Sequence, residues 1–359
     1  MRLNREQQAL LSMIRFALGH DAEEALERST SREIDWDAVT AMAVYHGVAP
    51  LIHTAMSNNP GIPVPGRVKA ALAREFVSCS AVRMFHEKAL NDVVRLLNAH
   101  KLPFVILKGI ALAALVYPDP ESRPSGGDID ILIKNEDYPR VKRALAEIGY
   151  GLDNPRSERH ELTYIGEAEF SKNFGGGKVV LDVHTDFNAN SWGKVSGFDM
   201  EGFWEDLTML EYFGALLPVL AVNAHLVFLA IHAAANHVFD RMIVFCDLDL
   251  MIRKYENGID WPYIAAYIDA RGGKKAIYFA LNYCRELLGT PVPDSFLHTV
   301  KPSHASRALV PEQRLLLGRG EPSKNTHRYM HLVLLDNPRL MFKSLRFFVK
   351  RFLSERATR

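Results

Sequence analysis

Cysteine is scarce in this sequence: three in 359 residues, Cys79, Cys246 and Cys284. They are far apart and form neither a C-x-x-C pair nor a metal-ligand spacing. This excludes a disulfide scaffold and argues for a reducing compartment. Long hydrophobic runs are also missing, since no stretch reaches the roughly 18 apolar residues that a bilayer span needs. The opening residues, MRLNREQQALLSMIRFALGH, carry charges and glutamine throughout. They lack the apolar run and small-residue cleavage site of a secretion signal, so a cytoplasmic location is expected. Neither sign of charge dominates: 43 Lys and Arg stand against 42 Asp and Glu, a formal net charge of +1. The global balance therefore carries no signature of a polyanionic partner. Low-complexity segments are absent.

What is present suits a soluble globular protein. Hydrophobic residues make up 48% and charged residues 24%, and the length suggests two or three domains. Residues 4 to about 100 carry apolar positions at helical spacing, among them Leu10, Leu11, Ile14 and Leu18. Pro103 ends this pattern. Phe104–Lys108 reads as a short strand and Ile110–Tyr117 as a helix. A Pro- and Gly-rich loop runs to Gly127, and Asp128–Ile133 follows as a strand. Glu136–Ile148 reads as an amphipathic helix. Two further strands are expected over Glu161–Phe170 and Lys178–His184, the second after a turn at Gly175-Gly176-Gly177. From about residue 205 the chain reads as helical again. Four segments result: helices over 1–100, a small α/β unit over 101–205, a helical domain over 206–320 and a basic tail over 321–359.

The sharpest feature is Ser125-Gly-Gly-Asp-Ile-Asp-Ile-Leu132. On a strand, residues i and i+2 point the same way, so Asp128 and Asp130 share one face and the isoleucines the other. Two carboxylates so placed can share hard cations such as Mg²⁺, which take oxygen ligands and keep positions open for phosphates. Gly126 and Gly127 allow backbone to approach a phosphate closely. Val179–His184 is a second apolar strand with one carboxylate, Asp182. If the two strands are neighbours, three carboxylates converge and a cation is the simplest way to make them tolerable. An isolated Asp-x-Asp more often marks a loop or a solvated strand face. The glycines and the second Asp-bearing strand raise this one above that background.

The residues Val105-Ile-Leu-Lys-Gly-Ile-Ala-Leu-Ala113, Tyr117-Pro-Asp-Pro120, Arg123-Pro124 and Asp128-Ile-Asp-Ile-Leu-Ile133 resemble a bacterial family of uncharacterised nucleotidyltransferases in the DNA polymerase beta-like superfamily. The likeness continues through Ala146–Tyr150, Asp182-Val-His184, Ala230–His237, Ile259-Asp-Trp261 and Leu287-Leu-Gly289. It also reaches Ile34-Asp-Trp36 and His46–Pro50. The resemblance implies transfer of a nucleoside monophosphate from a nucleoside triphosphate to an acceptor, with Mg²⁺, or Mn²⁺ as an alternative. Asp128 and Asp130 would contact the ions, and Asp182 would complete the site near the acceptor hydroxyl. Gly126 and Gly127 would lie against the triphosphate, with Lys108 and Arg123 as phosphate partners. The superfamily carries a Gly-Ser or Gly-Gly pair shortly before its first aspartate. Here Gly109 is followed by Ile110, so either Lys108-Gly109 or Ser125-Gly126-Gly127 takes that role.

His184 lies on the face of Asp182, where it either touches substrate or is a hydrogen-bonded edge histidine. His232 and His237 sit five positions apart on a predicted helix, which does not place them on one face. They are candidates for substrate contact or structural support. The tail from Arg339 to Arg359 is basic, with Phe342, Leu345, Phe348, Val349 and Phe352 at helical spacing. It is either a helix docked on the protein or a weak contact for a membrane surface or RNA. The expected architecture is α+β: a small mixed-sheet core flanked by N-terminal and C-terminal helical regions. The acceptor is unknown, with a small molecule or protein favoured because no strong nucleic-acid signature lines the core motifs. The competing reading is a binding or regulatory protein that keeps the fold without catalysis.

Overall fold

A computed structural model describes residues 3–21, 23–30, 33–175, 177–186, 201–303, 318 and 320–358. The helical pattern before Pro103 forms α1 (Arg5–Ala17), α2 (Glu23–Thr30), α3 (Trp36–Tyr45), α4 (Ala49–Asn58) and α5 (Gly66–Ala99). Local chemistry sets two of the starts. The Asn4 side chain accepts from Gln7 N while the Gln7 side chain accepts from Asn4 N, a reciprocal cap on α1. Asp35 accepts from the backbone of Asp37 and Ala38 and starts α3.

The core contributes β1 (Phe104–Ile106), α6 (Ile110–Val116), β2 (Asp128–Ile133), α7 (Tyr138–Glu147), β3 (Gly151–Leu152), α8 (Glu158–Tyr164), β4 (Glu167–Phe174) and β5 (Gly177–His184). After α9 (Glu201–Trp204) come β6 (Leu207–Tyr212) and β7 (Ala215–Leu220). The helical part follows: α10 (Val222–Ala235), α11 (Met242–Lys254), α12 (Trp261–Arg271), α13 (Lys274–Leu288), α14 (Asp294–Val300), α15 (Lys324–Val333) and α16 (Pro338–Thr358). The architecture is α+β, a mixed sheet flanked by helices.

The sheet has seven strands in the order β3-β4-β5-β2-β1-β7-β6. β2 runs parallel to β5 and antiparallel to β1, and β1 runs parallel to β7. Side-chain alternation divides its two faces. Ile129, Ile131, Ile133, Phe170, Leu181 and Val183 pack against α5 and α7 in one core. Val105 and Leu132 face the other way, into the core built by the helical parts. The long α5 joins both layers: Val68 and Leu72 belong to the helical core, Leu90, Val93 and Leu97 to the sheet core.

Two elements differ from the sequence reading. The segment read as a strand from Glu161 is α8 up to Tyr164, and β4 begins only at Glu167, after Gly166 (φ 89°). Tyr164 packs on Phe347 and His160 bonds Ser354, so tertiary contact overrides local β propensity. Residues 207–220, read as the start of the helical part, form the β6–β7 hairpin. Its turn residues Phe213 and Gly214 both have positive φ, the requirement of a tight hairpin turn. The expected β4–β5 hairpin is present, with Phe174 opposite Gly177, while Gly176 itself lies outside the described residues.

Burial pushes the pKa of His225 and of His331 down to about 4 from an ordinary 6.5, although each ring bonds a backbone carbonyl, Leu107 O and Ala235 O. The unfolded chain therefore binds more protons than the folded chain between pH 6.5 and 4. Their contribution to stability is complete above pH 6.5 and is lost as pH falls through that window. The melting temperature should fall between pH 7 and pH 5, and less steeply for His331→Gln. An equally steep fall for the variant would contradict the assignment.

Candidate active site

Register builds the site. On parallel strands β2 and β5, Asp130 stands directly opposite Asp182 and Leu132 opposite His184. On the far side of β5, antiparallel β4 places Glu169 opposite Asp182 and Glu167 opposite His184. Asp128 occupies the same face of β2 as Asp130, directly after Gly127. The three predicted aspartates are thus brought together, half-exposed Asp128 at the rim and Asp130 buried.

Asp130 is clamped. Lys108 Nζ lies 2.7 Å from its Oδ1, and His184 Nε2 lies 2.8 Å from the same oxygen. His184 Nδ1 faces Glu167 Oε2 at 3.4 Å. Burial opposes the charge on Asp130, but the Lys108 ammonium and the His184 bond outweigh it and hold its pKa below the ordinary carboxylate value. Asp182 goes the other way. Burial, then the charges of Asp130, Asp128 and Glu167, push its pKa up to about 9. Its Oδ1 is buried and has no hydrogen-bond partner among the described residues. A carboxyl raised this far is protonated at neutral pH unless a cation compensates the neighbouring charges.

Asp130, Asp182 and His184 each offer a ligand atom, and these atoms lie within 4.8 Å of one another. Carboxylate oxygens suit hard divalent ions, and the orphaned Asp182 oxygen supplies a free donor. The residues present therefore fit a divalent cation. His184 acts mainly as the group that orients Asp130. It is an interior-strand histidine, bonded through Nε2 with Nδ1 facing Glu167, rather than an edge one.

The two glycine segments left as alternatives for the phosphate wall are adjacent. Gly109 adopts φ 59°, ψ −115°, and a Cβ there would meet Ser125 O at 3.0 Å. Gly126 also has positive φ, and a Cβ on it would sit 3.4 Å from Asp128 Oδ1. Lys108, Gly109, Ser125, Gly126 and Gly127 line one cavity of about 550 Å³ together with the aspartates.

Residues 32–289 match the sequence model of the family described as uncharacterised nucleotidyltransferase. The chain belongs to that family. No curated protein matches it.

The opposite wall of the cavity comes from the helical parts. His232 and His237 meet there with ring centroids 4.8 Å apart. The spacing argument against their sharing a face fails because α10 ends at Ala235. Positive φ at Val238 and Phe239 then turns the chain back on itself. Arg123, expected on phosphate, is committed elsewhere: its Nε and Nη2 each lie 2.8 Å from a different oxygen of Asp247, and its Nη1 donates to Pro124 O. Tyr117 OH also donates to Asp247. Arg83 of α5 fixes the same loop, donating to Pro120 O at 2.7 Å and Arg123 O at 2.5 Å. Arg123 thus positions the loop that carries Ser125 to Gly127.

Several lining residues escaped the sequence reading: Tyr45, Glu167 and Arg241. The Arg241 guanidinium stacks 4.0 Å from the Tyr45 ring, and Tyr45 OH donates to Asp240. Only His46-Gly47, within the segment singled out for family likeness, pointed to this corner.

Arg123 and Asp247 are both buried, 8% and 2% exposed. Removing one partner strands the other charge, so Arg123→Ala should cost about 3–5 kcal/mol in urea unfolding. A loss below about 1 kcal/mol would show that the pair does not hold the loop.

Proposed function

We propose that the protein transfers a nucleoside monophosphate from a nucleoside triphosphate to a hydroxyl-bearing acceptor, using Mg²⁺ or alternatively Mn²⁺. The observation that carries this reading is Asp130 opposite Asp182 on adjacent parallel strands, with Asp128 beside them, at the wall of a 550 Å³ cavity. Membership of the nucleotidyltransferase family supports it, and chemistry of the DNA polymerase beta-like type is part of the same reading. A small molecule or a protein is the favoured acceptor. A cytoplasmic setting agrees with three free thiols.

Asp128, Asp130 and Asp182 would hold the divalent ions. When bound, these ions polarise the acceptor hydroxyl and neutralise charge on the leaving pyrophosphate. The chain's own groups supply position and charge. Lys108 and His184 both engage Oδ1 of Asp130 and fix that carboxylate. Gly109 and Gly126 keep side chains off the phosphate wall. The acceptor oxygen bonds to the α-phosphorus as the bond to pyrophosphate breaks, in a site whose groups are already oriented.

One observation favours a second reading. Lys108 occupies an oxygen of Asp130, as it would in a nucleotide-binding protein without turnover. The test is incubation with each α-labelled nucleoside triphosphate and Mg²⁺, with and without cell lysate. Wild type should label an acceptor, EDTA should abolish the labelling, and Asp130→Asn or Asp182→Asn should lower it by about 10²-fold or more. Mg²⁺-dependent triphosphate binding with no transfer would select the second reading. Neither binding nor transfer would exclude both.

A further inference from the structure

The C-terminal helix α16 has two unlike sides. One is docked on the protein. Ser344 is buried, Phe347 packs on Tyr164 with ring centroids 5.4 Å apart, Phe348 stacks on His331 at 6.3 Å, and Ser354 bonds His160. These contacts tie α16 both to α15 and to α8 of the sheet unit. The other side is apolar and exposed: Phe342 63%, Leu345 49%, Val349 59%, Phe352 49% and Leu353 60%. At 3.6 residues per turn these five fall on one arc. Arg339, Lys343, Arg346 and Lys350, all exposed, fall on the arc beside it. The side chains of residues 355–358, and all of Arg359, lie outside the described residues.

A docked terminal helix ordinarily turns its apolar stripe inward and its cations outward. Here only Phe348 of the stripe expected from the sequence turns in, and the rest faces solvent. Five large apolar side chains on one exposed arc are an interaction surface rather than scattered surface residues. The cations fix its kind. A stripe of Phe, Leu and Val flanked by Lys and Arg, with no acidic residue between Arg339 and Ser354, complements an anionic interface whose interior is apolar. No helix among the described residues is long and apolar enough to cross a membrane, so the geometry is that of a helix lying on a surface.

We propose that α16 docks the protein on an anionic lipid bilayer, with Phe342, Leu345, Val349, Phe352 and Leu353 entering the headgroup–acyl boundary. Arg339, Lys343, Arg346 and Lys350 pair with lipid phosphates. Because the opposite side of α16 is fastened to α8 and α15, docking requires no rearrangement of the fold.

The test is co-sedimentation of the full chain with vesicles of phosphatidylcholine alone and of mixed phosphatidylcholine and phosphatidylglycerol. Wild type should bind the mixed vesicles, bind neutral ones far less, and be released by high salt. Each Lys or Arg at an anionic surface is worth roughly five-fold in partitioning, so Arg346→Glu/Lys350→Glu should weaken binding at least about ten-fold. Phe342→Ser/Val349→Ser should abolish it. All four positions are exposed, and unchanged thermal melting confirms that the variants remain folded. Absence of wild-type binding to anionic vesicles would overturn the proposal. So would a dimer that Phe342→Ser/Val349→Ser dissociates, which would make the arc a contact between copies. RNA binding that replaces vesicle binding would overturn it as well.

Discussion

The parallel register of β2 and β5 sets Asp130 against Asp182, and much of the site follows from that like-charge contact. A buried carboxylate and a half-buried one on adjacent strands cannot both stay ionised without compensation. The structure divides the problem. Lys108 neutralises Asp130 and His184 bonds it, whereas Asp182 keeps an oxygen with no partner among the described residues and a pKa pushed up to about 9. Asp130, Asp182 and His184 are left with ligand atoms within 4.8 Å of one another, close enough to hold a metal ion. Isoleucines on the reverse face of β2 hold the carboxylates rigidly, because moving them would disturb the sheet core.

A second constraint shapes what the carboxylates face. The loop from Tyr117 to Gly127 has little regular structure of its own, yet it carries Ser125, Gly126 and Gly127 of the cavity wall. Arg83 holds it from α5 and Asp247 from α11, through Arg123. Both partners are remote in sequence, so the wall is placed only after the N-terminal helix, the sheet and the C-terminal helices have assembled. The corner around Tyr45, Asp240 and Arg241 joins the same parts on the opposite side. The cavity is therefore a joint product of three segments, although the metal-type residues belong to one.

Much of this was legible in the sequence. Alternation in Asp128–Ile133 separates carboxylates from isoleucines without reference to any fold, and Asp182 is conspicuous as one carboxylate in an apolar strand. Helix starts at Asn4 and Asp35 follow from local capping. Less was legible where partners are distant. Arg123 looked like a phosphate ligand because a guanidinium suits bidentate contact, and the structure supplies Asp247 as its bidentate partner. The exclusion of His232 and His237 from one face assumed a continuous helix, and the end of α10 at Ala235 removed that assumption. Leu207–Leu220 shows weak strand character by itself and is strand because β7 pairs with β1.

The sequence by itself determined which residues are chemically competent: three aspartates, the glycines before them, and the apolar faces that orient both. Those properties depend on side-chain type and on the period of the strand, which are local. Tertiary structure alone decided that Asp182 would stand opposite Asp130, that Arg123 would be tied down, and that the apolar stripe of α16 would face solvent. Each of these is a choice of partner between groups remote in the chain, and the free energy of such pairing depends on burial and register that no local pattern contains.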